Sequence, residues 1–302
     1  MLQRQTIALP LAQGVETKTD PKAGRPFRYS LNTGTIRGQK LTLPEQVDVT
    51  AKAGYDGIEP WVGEVRHYAE AGGSLGDLKK RIADHGLEVV GAITFARWIV
   101  DDEAARAKGM EELKRDMDLI AQIGGRWIAA PPAGATRTEG MDLMKAARRY
   151  RAVLEMGAEM GMTAQLEIWG PSKTLCRIGE AAFVAAEAAH PDACVLLDAY
   201  HIYRGGSDFG GLRILNGAAM HAFHVNDYPA DPPREQLNDS HRVYPGDGIA
   251  PLPSVLRTLH EAGFRGFLSL EVFNRDYWKQ DAAAVAKTGL EKIRAVVHKA
   301  LA

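Results

Sequence analysis

The sequence has almost no cysteine and no long apolar run. Its 302 residues include only two cysteines, Cys176 and Cys194, which is too few for a disulfide framework and indicates a reducing compartment. No apolar stretch approaches the ~20 residues needed to cross a bilayer. The apolar patch IALPLA near the N-terminus is too short for a signal sequence. We therefore predict a cytoplasmic protein that does not bind membranes.

An excess of one charge is also missing. Lys plus Arg number 37 and Asp plus Glu number 38, so the chain has no net basic field to attract a phosphate backbone. No Gly-x-Gly-x-x-Gly fingerprint follows the first predicted strand, which argues against a dinucleotide site. We predict a globular protein of ordinary composition that does not bind nucleic acid.

A regular alternation of short apolar runs and longer amphipathic stretches begins after residues 1–26, which we expect to form a poorly ordered or surface-draped arm. The runs are RYSLN, DGIEPW, LEVVGAITF, RWIAAPP, TAQLEIW, CVLLDAYH, AFHVND and FLSLEVF. Eight strands that are each followed by a helix predict an α/β fold, a single (β/α)₈ TIM barrel. Because no linker interrupts the series, we assign residues 27–302 to one domain.

Four successive strands of this series end in a side chain of a metal-binding type. Because side chains alternate along a strand, Glu167 lies on the face opposite to Leu166 and Ile168 and would point into the barrel mouth. The following strands contribute Asp198, His224 and Glu271. A buried carboxylate without a partner is costly, and no Lys or Arg stands in these strand segments. A shared cation is therefore the most economical partner for the set.

The donor types indicate which cation the set would bind. Sites rich in carboxylates with one imidazole suit Mn²⁺, Mg²⁺ or Co²⁺ better than a sulfur-ligated zinc site, and Zn²⁺ remains an alternative. A single Glu, Asp or His in a strand is more often a satisfied structural residue, but recurrence on four consecutive strands favours one divalent metal ion. His201 stays open as a further ligand, a substrate contact or a partner of a neighbouring carboxylate.

One connection is much longer than the others. Between His224 and the helix near Pro251 lies the stretch YPADPPREQLNDSHRVYPGDGIA. Loops of this length in compact domains are often active-site lids, and a loop that follows a barrel strand lies on the catalytic face. We expect this loop to contribute to the site.

The segments LEIWG, LLDAYH, HVND, SHRVYPGDG and SLEVF, in that order, resemble the xylose-isomerase-like TIM-barrel superfamily. They match its sugar isomerase/epimerase branch, which is also related to the endonuclease IV fold. The resemblance runs from about Phe27 to Phe273. It implies that a divalent metal is bound by the four strand-end residues, Glu167, Asp198, His224 and Glu271.

The resemblance also implies individual roles. Glu167 and Glu271 would be the catalytic acid and base on opposite sides of the sugar. Five residues would contact substrate: His201, Arg242, Glu59, Trp61 and Trp169. Each tryptophan would either stack on a sugar ring or be simply a large core or rim residue. Trp98 lies near another strand end and has the same two interpretations.

Departures from the family pattern limit what it implies. Ile168 to Lys173 replace the Pro-x-Asn segment of ketohexose 3-epimerases, so a simple ketohexose is not the favoured substrate. The second and third strand ends lack the histidines of the endonuclease branch. Asp239 and His241 resemble the Asp-x-His pair of that branch and are candidates for a second metal.

The resemblance implies a metal-dependent isomerase or epimerase that transfers a proton through an enediolate of a ketose, inosose or keto-sugar. The main alternative is a metal-dependent lyase or dehydratase acting on a 3-keto sugar or glycoside. An endonuclease IV-like phosphodiesterase and a catalytically silent binding subunit are further alternatives. A homo-oligomer is expected by analogy alone.

Overall fold

The computed structural model describes residues 25–302. The predicted arm over residues 1–26 therefore lies almost entirely outside the described residues. Among the described residues, no helix is long and apolar enough to cross a bilayer. Both cysteines are free thiols.

Parallel strands and helices alternate along the chain as predicted. The strands are β1 (Arg28–Asn32), β2 (Gly57–Glu59), β3 (Glu88–Val89), β4 (Trp127–Ala130), β5 (Thr163–Glu167), β6 (Val195–Asp198), β7 (Ala222–Val225) and β8 (Phe267–Leu270). The α-helices are α1 (Leu43–Ala53), α2 (Val62–Glu70), α3 (Leu75–Asp84), α4 (Glu103–Gln122), α5 (Leu143–Glu159), α6 (Ile178–Glu187), α7 (Ala199–Arg204), α8 (Leu252–Glu261) and α9 (Ala282–Leu301). Short 3₁₀ turns lie at Thr33–Gln39, Phe209–Ile214, Gly217–Ala219, Arg234–Gln236, Asp239–His241 and Tyr277–Lys279.

The strands form one parallel eight-stranded sheet in the order β3-β2-β1-β8-β7-β6-β5-β4. Its two edges meet just beyond β3, where the Ala129 N–H donates a hydrogen bond of 2.9 Å to the Ala92 carbonyl. This contact brings β4 beside the chain that leaves β3, and the predicted (β/α)₈ barrel is confirmed.

The third strand is much shorter than the run LEVVGAITF predicts. After Val89 the chain passes close over Glu59 from β2, and a Cβ at Gly91 would come within 2.9 Å of the Glu59 carboxylate. Only glycine allows this approach without a shift of the carboxylate. The third run therefore leaves the regular ladder early and continues as irregular chain around the barrel mouth.

The helices begin and end where local chemistry favours it. Thr42 and Glu45 form a capping box at α1, with Pro44 in the first turn, and Gly54 closes the helix at φ 92°. The connections after β2 and β6 are more divided than one helix for each strand. α2 and α3 both lie between β2 and β3. After β6 the chain forms α7, which begins directly after the strand because Asp198 caps it, and then the 3₁₀ turns Phe209–Ile214 and Gly217–Ala219.

The barrel interior below the cavity is filled with apolar side chains. One cluster of buried apolar residues packs inside the barrel: Val90, Ile93, Ala129, Leu196, Ala222 and Phe267. Asp198, His224 and Ser269 each come two residues later on their strands than a member of this cluster. The polar residues therefore form a layer above an apolar plug, on the face where TIM barrels carry their sites.

Candidate active site

The carboxyl ends of the strands open into a cavity of about 700 Å³. Six residues that the sequence analysis assigned to catalysis or substrate binding line it: Trp61, Glu167, Trp169, His201, Arg242 and Glu271. They come from four different strands and from the long loop after β7. The barrel therefore brings together side chains that are far apart in the sequence.

Three of the predicted metal ligands form a close group on neighbouring strands. Asp198, His224 and Glu271 each offer a donor atom, and these atoms lie within 4.8 Å of one another. Strand register places Asp198 directly beside His224. His224 Nδ1 is 3.3 Å from Glu271 Oε2 and 3.7 Å from Asp198 Oδ2. Glu167 does not belong to this close group.

Glu59 lies on the other side of the His224 ring. Its Oε2 is 3.0 Å from His224 Nε2 and accepts hydrogen bonds from Asn32 Nδ2 at 3.0 Å and Ser269 Oγ at 2.7 Å. Glu59 is fully buried and is not among the residues that line the cavity, and the chain at Gly91 passes close to its carboxylate. Its contact with substrate stays a prediction from the resemblance.

The orientation of His224 fits a metal ligand. With Nε2 bonded to Glu59, the ring turns Nδ1 toward Asp198 and Glu271, and Nδ1 has no hydrogen-bond partner. Burial opposes protonation of the ring, but Glu271 and Glu59 raise the pKa of His224 well above its usual value. Metal-binding histidines commonly donate their second nitrogen to a carboxylate in this way. A cation would take the place of the proton on Nδ1.

The long loop supplies a cation of its own. Arg242 is 1% exposed, and its Nη1 lies 2.9 Å from Asp198 Oδ2 and 2.8 Å from Glu271 Oε2. Its Nη2 is 2.7 Å from Asp239 Oδ1. The four strands β5 to β8 contain no Lys or Arg of their own. The loop nevertheless delivers a guanidinium that compensates two of the buried carboxylates.

The two predicted catalytic glutamates have opposite electrostatic surroundings. Burial is the main cause that raises the pKa of Glu167 to about 8, and its Oε2 has no hydrogen-bond partner. Burial acts on Glu271 in the same direction, but the charges of His224 and Arg242 outweigh it and hold the pKa of Glu271 well below its usual range. The cavity floor thus holds one carboxyl that binds its proton readily and one that stays ionised.

His201 lines the cavity and is tied to its neighbours by both ring nitrogens. Nδ1 lies 3.2 Å from the Gly170 N–H and Nε2 lies 3.1 Å from Arg242 Nη2. Burial lowers the pKa of His201 to about 4, so the ring is neutral and has only one acceptor nitrogen. Only one of the two contacts can be a hydrogen bond at a time. A substrate oxygen could therefore accept from the nitrogen that carries the proton.

Two residues of the HVND segment position this site, and the sequence analysis did not single them out. Asn226 donates from Nδ2 to Asp198 Oδ2 at 2.8 Å. Asp227 accepts from the backbone N–H of Gly246 at 3.0 Å and of Ala250 at 2.8 Å, which pins the end of the long loop. Their position directly after the seventh strand is the sequence feature from which a role at the site could have been predicted.

Asp239 and His241, the candidates for a second metal, do not form a metal-type group with other described residues. Asp239 pairs with Arg242, and His241 Nδ1 accepts from the Asn238 N–H at 3.2 Å. Of the interpretations of Trp98, the structure agrees with that of a large core residue. It is fully buried, and its Nε1 donates to the Pro131 carbonyl at 2.8 Å.

Aromatic side chains form one wall of the cavity. The rings of Trp61 and Phe95 are 5.3 Å apart, and those of Phe95 and Trp169 are 5.7 Å apart. Phe273 lies edge-on to Trp61 at 5.8 Å. Such faces can stack on the apolar side of a ring-shaped ligand, as predicted for Trp61 and Trp169.

Comparisons with known proteins agree with this architecture. A sequence model of the family described as xylose isomerase-like TIM barrel matches residues 47–296. The inosose isomerase of Bacillus velezensis is 26% identical over 86% of this chain and 94% of its own length. The 3-dehydroshikimate dehydratase of Pseudomonas aeruginosa is 27% identical over 88% of this chain, but over only 41% of that longer protein. The crystal structure of IOLI protein with a binding zinc atom superimposes with a TM-score of 0.84 at 23% identity, covering 91% of this chain and all of that one.

Proposed function

The chain belongs to the xylose isomerase-like TIM barrel family, and we propose that it is a divalent-metal-dependent isomerase or epimerase of a keto-sugar or inosose. The observation that carries the proposal is the placement of two buried glutamates, Glu167 and Glu271, in one cavity beside a three-residue group of metal-binding type. The likeness to inosose isomerase over nearly the full length of both chains supports the substrate class.

The metal would be held by Asp198, His224 and Glu271, with Glu167 as a fourth ligand. A bound divalent cation supplies Lewis acidity, which lowers the free energy of negative charge on substrate oxygens. The donor set favours Mn²⁺, Mg²⁺ or Co²⁺, while the zinc in the similar crystal structure supports Zn²⁺ as an alternative.

The proton transfer uses the two glutamates. One of them takes the proton from the carbon next to the carbonyl, and the same or the other glutamate returns it. Return to the opposite face of the same carbon gives an epimer, and return to the neighbouring carbon gives an aldose or ketose isomer. Arg242 and His201 would bind substrate oxygens and hold the reacting carbon between the carboxylates.

Deuterium exchange tests this function directly. The metal-loaded enzyme is incubated in D₂O with a panel of ketoses, inososes and 3-keto sugars, and deuterium at carbon is followed by NMR. We expect exchange with at least one member of the panel, and about one divalent ion per chain in the purified protein. No exchange with any member would overturn the proposal.

The likeness to 3-dehydroshikimate dehydratase favours dehydration as a second function. The same glutamate would take the carbon-bound proton, the electron pair would form a carbon–carbon double bond, and the β-hydroxyl would leave with a proton as water. The conjugated product absorbs in the ultraviolet. Ultraviolet absorbance that grows with time would therefore identify dehydration, whereas exchange without absorbance identifies isomerisation or epimerisation.

Other interpretations have less support. The endonuclease alternative requires further metal ligands, and the candidates Asp239 and His241 are engaged with other partners. The cytoplasmic location and the homo-oligomer stay predictions from the sequence.

A further inference from the structure

The mouth of the cavity carries arginines that its own acids do not neutralise. Arg37, Arg137 and Arg275 all line the cavity, and none of their side chains makes a hydrogen bond or an ion pair with another described residue. In contrast, Arg242 pairs with Asp198, Asp239 and Glu271. The positive charge at the mouth is therefore available for a ligand.

Arg37 is the most constrained of these side chains. It lies on the 3₁₀ segment that follows β1, and its Cζ sits 3.6 Å from the centroid of the Trp61 ring and 5.8 Å from that of Phe273. The side chain is half-buried. Burial is the main cause that lowers the pKa of Arg37, although an arginine remains charged in proteins. A partly desolvated guanidinium without an acceptor is costly, so an anion at this position would relieve the cost.

The contact with Trp61 holds the guanidinium at the aromatic wall, and its N–H groups make no hydrogen bond with another described residue. A planar guanidinium held on an aromatic face is suited to bidentate binding of a carboxylate or phosphate. Arg275 follows β8, the neighbour of β1 in the sheet, and is exposed. Arg137 follows β4 on the far side of the barrel and adds to the positive potential at the mouth.

The size of the cavity leaves room for such a substituent. Ligand clefts of roughly 300–1,000 Å³ hold drug-sized molecules, and at about 700 Å³ this cavity lies in the middle of that range. A free monosaccharide on the catalytic floor would leave the outer part empty. A substrate that reaches from the glutamates to Arg37 would fill it.

We infer that the mouth binds an oxyanion substituent of the substrate, a carboxylate or a phosphate, with Arg37 as the main contact and Arg275 as the second. This inference rests on the proposed function, because it narrows the substrates of the glutamate site to anionic keto-sugars or cyclitols. The reacting carbon would lie at the glutamates while the anion is held at the aromatic wall.

Matched substrates test the inference. Deuterium exchange at carbon is measured with D-fructose, D-fructose 6-phosphate and 5-keto-D-gluconate, which separates the phosphate source from the carboxylate source. We expect the KM of at least one anionic compound to be lower than that of neutral fructose by about tenfold, the size of a charged hydrogen-bonded contact. Equal KM values for all three compounds would contradict the inference.

Two arginine variants test which side chain at the mouth binds the anion. Arg37→Met and Arg275→Met keep the aliphatic part of the side chain and remove the charge, and we expect each to lower the preference for the anionic compound, Arg37→Met most. Arg148→Met is the matched control, because Arg148 is an exposed arginine outside the cavity. An unchanged preference in Arg37→Met would overturn the assignment even if the wild-type enzyme prefers anions.

A binding measurement separates this inference from the proposed function. Inorganic phosphate and malonate are titrated into the metal-loaded enzyme, and tryptophan fluorescence is followed because Arg37 stacks on Trp61. We expect saturable binding in wild type and Arg148→Met that is weakened about tenfold in Arg37→Met. Binding that persists in Arg37→Met would place the anion elsewhere and contradict the inference. If no keto-sugar exchanges its proton, the proposed function fails, and this titration still decides whether the anion site exists.

Discussion

The two halves of the barrel mouth contribute different kinds of residue. The β5–β8 half ends in ionisable side chains on every strand, from Glu167 to Glu271. The β1–β4 half contributes Asn32 and Glu59, which are buried and bonded to one another, and an aromatic wall that includes Trp61. One half holds the candidate reacting groups, and the other supplies a buried partner for His224 and an aromatic wall. Residues of similar chemistry, such as Glu59 and Glu271, therefore have different tasks because of the strand that carries them.

The halves also differ in how their charge is compensated. In the β5–β8 half, Asp198 and Glu271 are bridged by Arg242 from the long loop. In the β1–β4 half, Glu59 is satisfied by Asn32, Ser269 and the ring of His224. The first arrangement places a buried guanidinium next to the candidate metal ligands. The second holds the ring of the candidate ligand His224 from the opposite side.

The largest expected effect comes from removing a reacting carboxylate in the β5–β8 half. Glu271→Gln should lower kcat by about 10⁴-fold, because it removes both a metal ligand and a proton-transfer group. Glu167→Gln should act in the same direction. Exchange kinetics measure the effect, and circular dichroism checks that the fold is intact. The exposed Glu111→Gln is the matched control, and full activity in Glu271→Gln would contradict the division between the halves.

Removal of the Arg242 guanidinium, which bridges Asp198 and Glu271, should have the next largest effect. Arg242→Met leaves Asp198 and Glu271 buried without their partner, and breaking a buried ion pair costs about 3–5 kcal/mol of the free energy of unfolding. Urea unfolding measures this cost, with Arg148→Met as the control. Added divalent metal should recover part of the loss, since the cation compensates the same carboxylates. An unchanged free energy of unfolding would show that Arg242 does not compensate them.

Substitution of two tryptophans should distinguish a cavity-lining side chain from a core side chain in the β1–β4 half. Trp98→Leu should lower the free energy of unfolding by about 3 kcal/mol because Trp98 is fully buried. Trp61→Leu should cost much less stability and should raise KM, since Trp61 lines the cavity. Thermal unfolding and steady-state kinetics on both variants check this. The reverse pattern would mean that Trp61 serves packing rather than the ligand.

The smallest effect should come from the buried carboxylate behind His224. Glu59→Gln keeps the shape but removes the charge that orients the ring, and loss of such a partner weakens metal binding by about 10–100-fold. A competition titration with a chelator measures the affinity, and Glu111→Gln is again the control. Wild-type affinity in Glu59→Gln would show that the ring is fixed by packing alone.

The strand-end residues were predictable because their signal is local. Alternation along β5 fixes the face on which Glu167 lies, and the same position recurs in Asp198, His224 and Glu271. The partners of these residues were not predictable in the same way. Glu59 was assigned to the substrate on the family resemblance alone, and only the folded chain shows that it is buried beside Gly91 and bonded to the ring of His224.

Apolar periodicity and the position of a residue on its strand are properties of neighbouring residues, so the eight-stranded barrel and the polar residues at the ends of β5 to β8 could be predicted from the sequence. Three contacts become visible only in the folded chain: Arg242 bridges Asp198 and Glu271, Glu59 holds the ring of His224, and the Arg37 guanidinium lies over the ring of Trp61. Each of these contacts joins residues from different strands or loops. Such pairings depend on the path of the irregular chain around the mouth, which no local pattern encodes.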